Sequence, residues 1–307
     1  INALRRAYAA RIDPASVPPR TMARLPGTWL RSLTAISPLE GHLGCKLIAA
    51  SYTARRASYL LALFEPDTLS LAALIDANQI TGIRTAATAA VAVDVLAPRD
   101  PLKVAMIGSG FEAHAQLTAL AAARGIAGAT VFSPTPANRE RFADHFRAAL
   151  GIEVRAVGTP AQATAGADVV ICAARARNEE PVLRGEWLKP GVSVVSVGST
   201  LPEQREVDVG VVERAQLIVA DMPEEVAHDS GDMLAATRAG IAFAHKLVGL
   251  SEVVGGRTGR ASSEHVVLYK SVGSGLQDVV LAEMLLARAR ARGIGTPLPV
   301  SITPVSK

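Results

Sequence analysis

Residues 104–125 read VAMIGSGFEAHAQLTALAAARG, and this stretch decides the fold class. Residues 104–107 are apolar and predict a buried strand, while residues 112–124 predict a helix that ends at Gly125. The turn between them, Gly108-Ser109-Gly110-Phe111-Glu112-Ala113, fits the pattern GxGxxA. That pattern between a strand and a helix predicts a dinucleotide-binding unit.

The small residues of this turn each have a physical role. Gly108 permits the tight turn, and Gly110 lets the backbone approach a pyrophosphate. The pyrophosphate then lies at the positive end of the helix. Ala113 keeps the helix close to the sheet. We therefore expect Gly108, Ser109, Gly110 and Ala113 to bind the cofactor.

The end of the next strand indicates which dinucleotide is bound. An NAD-preferring site usually has an acidic residue there for the ribose 2′-hydroxyl, but the chain reads SPTPANR from Ser133 to Arg139. Thr135 is a candidate helix cap, and proline follows at the first helical position. Arg139 then lies in the first turn, within reach of a 2′-phosphate. We expect Ser133, Thr135 and Arg139 to contact NADPH, with NADH as the alternative.

Strands and helices continue to alternate downstream of this turn. After the helix predicted at 136–151, further strands are expected at 153–157, 168–174, 192–198 and 217–220. Such alternation predicts a parallel sheet with crossover helices. Ala173, Val197 and Gly198, at the ends of two of these strands, complete the expected cofactor contacts.

The N-terminal part of the chain has a different pattern. Short apolar or alternating runs predict strands at 28–37, 45–51, 58–64 and 69–76, and Glu65-Pro66-Asp67-Thr68 predicts a hairpin turn. An alanine-rich helix is expected over 83–97, stopped by Pro98. A long helix is expected over 271–292, returning to the first domain.

Composition excludes several classes of protein. The 307 residues are 49% hydrophobic and 20% charged, which is ordinary for a globular chain. The net charge of +4 with 4% aromatic residues does not indicate nucleic-acid binding, and uninterrupted apolar runs are too short to span a membrane. The two cysteines, Cys45 and Cys172, favour a reducing cytoplasmic compartment and lie in no metal-binding spacing.

Five stretches together carry a family resemblance. They are ITGIRTAATAAVA (80–92), the turn at 108–113, SVGSTLPEQREVD (196–208), HDSGDM (228–233) and LYKSVGSGLQD (268–278). With these motifs the chain resembles the ornithine cyclodeaminase/mu-crystallin family over nearly its whole length, and its ketimine reductase-like members in particular.

The resemblance implies an α/β molecule with two parts. One is a Rossmann NAD(P)-binding domain, expected at residues 99–271. The other is a sheet-rich domain that binds substrate and dimerises, built from both chain ends. Its first part is expected at residues 1–98, and a return helix and tail at 272–307 complete it. A homodimer is therefore expected.

The resemblance also implies which residues bind substrate. Arg20, Lys46 and Arg84 match the positions that hold the substrate carboxylate in family enzymes. Their chemistry agrees, because arginine offers a planar fork for a carboxylate. In addition, Lys46 lies in an apolar strand and Arg84 in an alanine-rich helix, where a charge needs an explanation.

The chain departs from the family pattern at Thr200. Cyclodeaminases and the related alanine dehydrogenases resemble one another in placing an aspartate here, which serves as a base. A threonine hydroxyl cannot accept a proton at neutral pH as a carboxylate does, although it can form hydrogen bonds at a catalytic centre. Mu-crystallin-like ketimine reductases similarly lack the acid. The stretch Ala50-Ser51-Tyr52-Thr53 also departs from the family pattern.

These features predict an NAD(P)H-dependent reductase of small cyclic imine carboxylates, of the pyrroline-2-carboxylate or piperideine-2-carboxylate type. Lys46, Arg84 and Thr200 are the expected catalytic residues, with Lys46 guiding a proton to the imine nitrogen. Two alternatives remain open: an ornithine cyclodeaminase or amino-acid dehydrogenase, and a non-catalytic protein in which NADPH organises a pocket for a carboxylate ligand.

Other polar residues have simpler interpretations. His42, His114 and His145 show no metal-ligand spacing. The stretch with His228, Asp229 and Asp232 is interpreted as a capped loop that enters a helix. Lys270 and Asp278 flank a segment that approaches the nicotinamide in relatives, and they are expected to support the site from behind.

Overall fold

The computed structural model describes residues 1–99, 101–176, 178–298 and 304–305. It contains an eight-stranded sheet and a five-stranded sheet, together with helices, so the predicted α/β class is confirmed. The chain divides into two compact units, which we name after their sheets. The parallel-sheet unit comprises Ile1 and Thr85–Gly273, and the antiparallel-sheet unit comprises the described residues of Asn2–Arg84 and Ser274–Lys307.

The boundaries between the units differ from the sequence expectation of 98/99 and 271/272. The first division falls at 84/85, inside the alanine-rich helix, and from Thr85 onward this helix belongs to the parallel-sheet unit. Its last residue, Leu96, accepts hydrogen bonds there from Ser193 Oγ (3.5 Å) and Arg260 Nε (2.7 Å). The second division falls at 273/274.

The parallel-sheet unit has the order β12-β11-β13-β10-β9-β6-β7-β8, and each neighbouring pair is parallel. Its strands are β6 (Leu102–Ile107), β7 (Ile126–Phe132), β8 (Val154–Ala156), β9 (Val169–Cys172), β10 (Ser193–Ser196), β11 (Ala215–Ala220), β12 (Leu247–Gly249) and β13 (Val266–Lys270). Strand order reverses beside β6, which is the topological switch point where open α/β sheets bind ligands. β12 and β13 were not predicted from the sequence.

Helices of this unit connect the strands. They are α3 (Phe111–Ala123), α4 (Pro136–Leu150), α5 (Pro160–Thr164), α6 (Val209–Arg214), α7 (Pro223–Asp229), α8 (Gly231–Arg238) and α9 (Leu250–Val254). The central strands β9 and β10 are fully buried, as a sheet covered on both faces requires. The predicted strand–helix alternation is confirmed.

The antiparallel-sheet unit is a five-stranded meander in the order β1-β2-β3-β4-β5. Its strands are β1 (Thr21–Leu25), β2 (Thr28–Ile36), β3 (Leu43–Ser51), β4 (Arg56–Phe64) and β5 (Leu71–Asp76), with helices α1 (Asn2–Ala9) and α10 (Gly275–Arg292). Helix α2 (Asn78–Leu96) begins in this unit. β4 and β5 pair across the turn at 65–70, so the predicted hairpin is confirmed.

Alternation along β2 to β4 gives this sheet two unlike faces. Leu33, Lys46 and Leu61 are paired neighbours on one face, and all three are buried. Helix α10 packs on these strands so closely that a Cβ on Gly275 would overlap the carbonyl oxygen of Thr34. The face that carries Lys46 is therefore the core of the unit.

Two predicted helix boundaries were wrong. α10 begins at Gly275 rather than Ser271, because Gly273 has a φ of +84° and ends the preceding extended segment. α2 begins at Asn78, five residues before its alanine-rich part. Strand β1 was missed because its five residues are all exposed and show no apolar alternation.

A search of the described residues found no helix that is both long and apolar enough to cross a membrane.

Candidate active site

The turn after β6 has the geometry that the glycine pattern predicts. Gly108 has a φ of +118°, and a Cβ at this position would lie 2.7 Å from the carbonyl oxygen of Ala173. Gly110 precedes α3, and a Cβ there would meet no protein atom within 4 Å. Packing therefore does not require glycine at position 110, whereas the approach of a bound pyrophosphate to the helix N-terminus does. Ala113 is fully buried where α3 meets the sheet.

The end of β7 brings three predicted residues together. Ser109 Oγ donates a hydrogen bond to Ser133 Oγ (2.8 Å), and Arg139 Nη1 donates to the Ser133 carbonyl oxygen (2.9 Å). Arg139 thus lies half-buried at the strand end where an acidic residue would bind a 2′-hydroxyl. The contact of Ser133 and Arg139 with a cofactor remains a prediction.

Thr135 occupies the predicted cap position of α4, but its side chain forms no capping hydrogen bond. The Thr135 carbonyl oxygen instead accepts from the backbone N–H groups of Asn138 and Arg139. Pro136 at the first helical position fixes the helical φ. The predicted side-chain cap was therefore wrong, although the helix begins where expected.

Ala173, Val197 and Gly198 lie just beyond the carboxyl ends of β9 and β10. Glu206, a residue that sequence reasoning missed, binds the backbone of both segments. The Glu206 carboxylate accepts hydrogen bonds from the N–H groups of Ala174 (3.0 Å) and Gly198 (2.9 Å).

In the antiparallel-sheet unit, β3 and α10 bring Lys46 and Asp278 together. Lys46 Nζ lies 2.7 Å from Asp278 Oδ1, and neither side chain is exposed. Arg84, from the first half of α2, places its Nε 3.2 Å from the same oxygen. Asp278 Oδ2 is buried and accepts no hydrogen bond from the described residues. Sequence reasoning gave Asp278 only a supporting place, whereas it directly contacts both predicted substrate residues.

Arg84 is also oriented by neighbours that the sequence did not indicate. Its Nη1 donates to Gln277 Oε1 (2.7 Å), and Gln277 Nε2 in turn donates to the Tyr8 hydroxyl (2.9 Å). Helix α1 thus supports α10, which supports Arg84. Tyr8 and Gln277 lie 269 residues apart in the sequence, so no local pattern could reveal this chain of contacts.

The electrostatics of this cluster favour an additional anion. Burial, together with the positive charges of Arg84 and Arg31, lowers the pKa of Lys46 to about 8, although Asp278 opposes the shift. Lys46 and Arg84 supply two positive charges against the single carboxylate of Asp278. Because charges removed from water are costly when unbalanced, the cluster is suited to receive a carboxylate.

The other two predicted substrate or catalytic residues lie elsewhere. Arg20 is half-buried immediately before β1. Thr200 lies in the loop after β10, where its N–H donates to Gln204 Oε1 (2.9 Å). The roles of Arg20 and Thr200 remain predictions. Among the described residues no group of histidine, cysteine and acidic side chains could hold a metal ion.

The sequence interpretation of Asp232 as part of a capped loop was incomplete, because Asp232 also forms a buried ion pair. Asp232 is buried at the start of α8 and lies 2.9 Å from Lys270 Nζ, which is also fully buried. Burial tends to raise the pKa of Asp232, but Lys270 and the hydroxyl of Ser199 more than offset this and hold that pKa below its usual value. Sequence reasoning had not connected these two charges.

Known proteins similar to this chain include three informative cases. Ketimine reductase mu-crystallin from Mus musculus is 31% identical over 264 residues, covering 84% of this chain and 79% of its own. Delta(1)-pyrroline-2-carboxylate reductase from Bacillus cereus is 28% identical over 228 residues, covering 74% and 69%. The structure of Thermococcus litoralis Delta(1)-pyrroline-2-carboxylate reductase, in complex with NADH and L-proline, has a TM-score of 0.89 at 28% identity and covers 97% of this chain and 94% of its own.

The family model described as the ornithine cyclodeaminase/mu-crystallin family matches residues 47–293. The matched range includes the glycine turn, Arg84 and Asp278. The sequence motifs, the pairing of a parallel with an antiparallel sheet and the match over most of the chain agree with one another. The chain therefore belongs to the ornithine cyclodeaminase/mu-crystallin family.

Proposed function

We propose that this protein is an NAD(P)H-dependent reductase of small cyclic imine carboxylates, of the pyrroline-2-carboxylate or piperideine-2-carboxylate type. The observation that carries the proposal is the buried cluster of Lys46, Arg84 and Asp278, which has one more cation than it has anions. The activities in the names of the mouse and bacterial relatives support the same reaction class.

We assign the substrate carboxylate to Arg84 and Lys46, the two buried cations beside Asp278. Gln277 accepts a hydrogen bond from Arg84 Nη1, and Asp278 lies 3.2 Å from Arg84 Nε, so the guanidinium is oriented before a ligand arrives. A fixed guanidinium binds a carboxylate with less loss of conformational entropy than a mobile one. Arg84 is accordingly the main carboxylate contact, with Lys46 as the second cation and Arg20 as a further contact.

Reduction of a C=N bond adds a hydride to carbon and a proton to nitrogen. A reduced nicotinamide, when bound, supplies the hydride. Lys46 is suited to supply the proton, directly or through a water molecule, because its pKa of about 8 keeps it mostly protonated at neutral pH yet able to release the proton. Asp278, 2.7 Å away, holds the ammonium in place.

NADPH is the proposed cofactor. The glycine turn and the open N-terminus of α3 suit a dinucleotide, and a nicotinamide is supported by the NADH bound in the Thermococcus structure. Arg139 and Ser133, which are joined by a hydrogen bond, favour a 2′-phosphate over a free 2′-hydroxyl.

Thr200 argues against complete cyclodeamination. That reaction begins by oxidising an amine, which requires removal of a proton from a substrate ammonium by a base active near neutral pH. A threonine hydroxyl stays protonated there. Direct imine reduction omits this step. It requires only a contact for the substrate carboxylate, a hydride donor and a proton donor.

The proposal also includes a homodimer in the cytoplasm. Support for the dimer comes from the outer face of the antiparallel sheet, where Leu30, Leu60 and Leu74 are 41–47% exposed. Apolar side chains that share an exposed sheet face can mark a protein–protein contact. A second copy of the same face would cover them.

A spectrophotometric screen of NADPH consumption tests the proposal. The panel contains pyrroline-2-carboxylate, piperideine-2-carboxylate, keto acids with ammonia or methylamine, and ornithine with ammonia detection. We expect consumption with a five- or six-membered cyclic imine carboxylate and negligible ammonia from ornithine. Robust ammonia release would favour the cyclodeaminase alternative, and NADPH binding without any turnover would favour the non-catalytic one.

A further inference from the structure

The parallel-sheet unit contains a second group of buried charges that the proposed reaction does not use. Lys270 at the end of β13, Asp232 on α8 and Glu206 between β10 and α6 are each at most 1% exposed. One buried lysine therefore faces two buried carboxylates. Such groups often stabilise a fold less than apolar residues of the same volume would, so their placement calls for a reason.

Lys270 joins the group together. Its Nζ lies within 2.6–2.9 Å of the hydroxyls of Ser196 and Ser199, the Ser199 carbonyl oxygen and Asp232 Oδ2. Asp232 also accepts a hydrogen bond from the Ser199 hydroxyl. Through its other oxygen, Asp232 accepts from the Glu206 N–H at 2.8 Å. The loop after β10 is thus fixed to β13 and α8.

Glu206 forms hydrogen bonds with two backbone segments. Its Oε2 accepts from the Ser196 hydroxyl (2.6 Å) and the Gly198 N–H (2.9 Å), and its Oε1 accepts from the Ala174 N–H (3.0 Å). A Cβ at position 198 would overlap the same carboxylate, so a larger residue there would displace Glu206. A single carboxylate therefore ties the segment after β9 to the segment after β10.

These two segments follow the carboxyl ends of neighbouring strands. In sheets of this topology, ligands bind outside the carboxyl ends of the strands, and the glycine turn after β6 lies beside β9. Ala173, Val197 and Gly198 are the expected contacts of the cofactor beyond that turn. Glu206 binds the N–H group of Gly198 and that of Ala174, the residue after Ala173.

We propose that Glu206 is a positioning residue for the nicotinamide half of the cofactor, acting through the N–H groups of Ala174 and Gly198. Lys270 and Asp232 hold Glu206 in place for this task. The inference rests on the proposed function only in assuming that a nicotinamide dinucleotide binds. In this role Glu206 does not touch substrate or cofactor. It instead fixes the backbone that forms the cofactor-binding surface.

The test compares Glu206→Gln with wild type by calorimetric binding of two ligands, NADPH and 2′,5′-ADP, which lacks the nicotinamide half. Glutamine cannot accept both backbone N–H groups, because one of its two terminal atoms is itself a donor. We expect the Kd for NADPH to rise roughly tenfold or more, as the loss of a charge-assisted hydrogen bond implies. The Kd for 2′,5′-ADP should stay within about twofold, since its site at 108–139 is untouched.

A second readout needs no ligand. Amide hydrogen exchange at Ala174 and Gly198 should accelerate in Glu206→Gln, because these N–H groups lose their acceptor. The matched control is Asp168→Asn. Asp168 lies at the amino end of β9, opposite to the carboxyl end that Ala174 follows, and accepts a hydrogen bond from the Lys103 N–H at 2.9 Å. This control should leave the ratio of the two Kd values unchanged.

Several outcomes would overturn the inference. Equal weakening of both ligands would indicate general damage to the unit, and an unchanged Kd for NADPH despite faster exchange would leave Glu206 a purely structural role. If Glu206→Gln does not fold, Glu206→Asp, which shortens the reach of the carboxylate, is judged by the same ratio. Failure of the proposed function looks different, because wild type would then bind NADPH without reducing any imine, or bind no nicotinamide dinucleotide at all.

Discussion

Lys46 shows how a buried position can adjust a residue to a chemical task. An exposed lysine has a pKa near 10.4 and rarely releases its proton at neutral pH. Burial and the neighbouring Arg84 lower the pKa of Lys46 to about 8, and Asp278 prevents a larger fall. Lys46, Arg84 and Asp278 thus form the proposed carboxylate site and also adjust the pKa of the proposed proton donor, Lys46.

This pKa predicts the pH dependence of the reaction. Lys46 is protonated below its pKa of about 8 and loses its proton as the pH rises through that value. We expect kcat/KM for a cyclic imine carboxylate to fall above pH 8, by about tenfold per pH unit, because the acid form is then depleted. The measurement is a profile of kcat/KM between pH 6 and pH 10.

Lys46→Arg is the control for that profile, because arginine stays protonated throughout the range. Protonation of the substrate is the same for both proteins, so it cancels in the comparison. The fall near pH 8 should be absent in the variant, whose rate is lower at every pH. An identical fall in both proteins would remove Lys46 from proton transfer.

Arg139 tests the choice of cofactor. Wild type should bind NADPH more tightly than NADH, and Arg139→Ala should reduce that difference by roughly 1.5–3 kcal/mol, the usual range for one hydrogen bond to a charged group. Arg141, which lies two residues further along α4 and is exposed, supplies the control substitution to alanine. Tighter binding of NADH than NADPH by wild type would contradict the assignment.

At the scale of elements, the sequence predicted features that depend on adjacent residues, but not those that depend on contacts between distant residues. The turn at 108–113 was recognised from the sequence because its glycine pattern, the strand before it and the helix after it are contiguous in the chain. The contact of Lys46 with Asp278 joins residues 232 positions apart, and only the packing of α10 on β3 creates it. The start of α10 was misplaced because Val272 and Gly273 donate their N–H groups to Asp221, which a local helical pattern cannot show.

Packing of α10 on the sheet should therefore control the site. In Gly275→Ala the new methyl group would overlap the Thr34 carbonyl oxygen, forcing α10 away from β2. We expect the free energy of unfolding to fall by about 1–3 kcal/mol, as in other overpacked cores, measured by thermal unfolding. The value of kcat/KM should fall as well, because Gln277 and Asp278 follow on the same helix.

Gly259→Ala is the matched control, because a Cβ at that exposed position meets no atom within 4 Å. Its stability and activity should stay close to wild type. If Gly275→Ala behaved in the same way, the close packing of α10 would not be what positions the site.

At the scale of the whole molecule, assembly follows from the two unlike faces of the antiparallel sheet. The sequence expectation of a dimer rested on the family resemblance, whereas the structure adds the exposed leucines of the outer face. We predict a dimer by light scattering at micromolar concentration. Leu60→Glu, which places a charge among those leucines, should shift the protein toward monomer.

Lys103→Glu supplies a control of the same charge type, since Lys103 is exposed in the parallel-sheet unit. It should leave the dimer intact. A wild-type particle of 31.9 kDa, the mass of one chain, would contradict the dimer and the role given to the exposed face.

The central claim is that the buried cations Lys46 and Arg84 select a cyclic imine by its carboxylate. Its most direct test compares the NADPH-dependent kcat/KM for pyrroline-2-carboxylate with that for 1-pyrroline, which has the same ring and no carboxylate, in wild type, Arg84→Ala and Thr200→Ala. We predict a preference of roughly 10²-fold or more for the carboxylate in wild type, since a lost charged contact costs on the order of 3 kcal/mol. That preference should largely disappear in Arg84→Ala and largely persist in Thr200→Ala. Equal rates with both imines in wild type, or the same preference after removal of Arg84, would contradict the account.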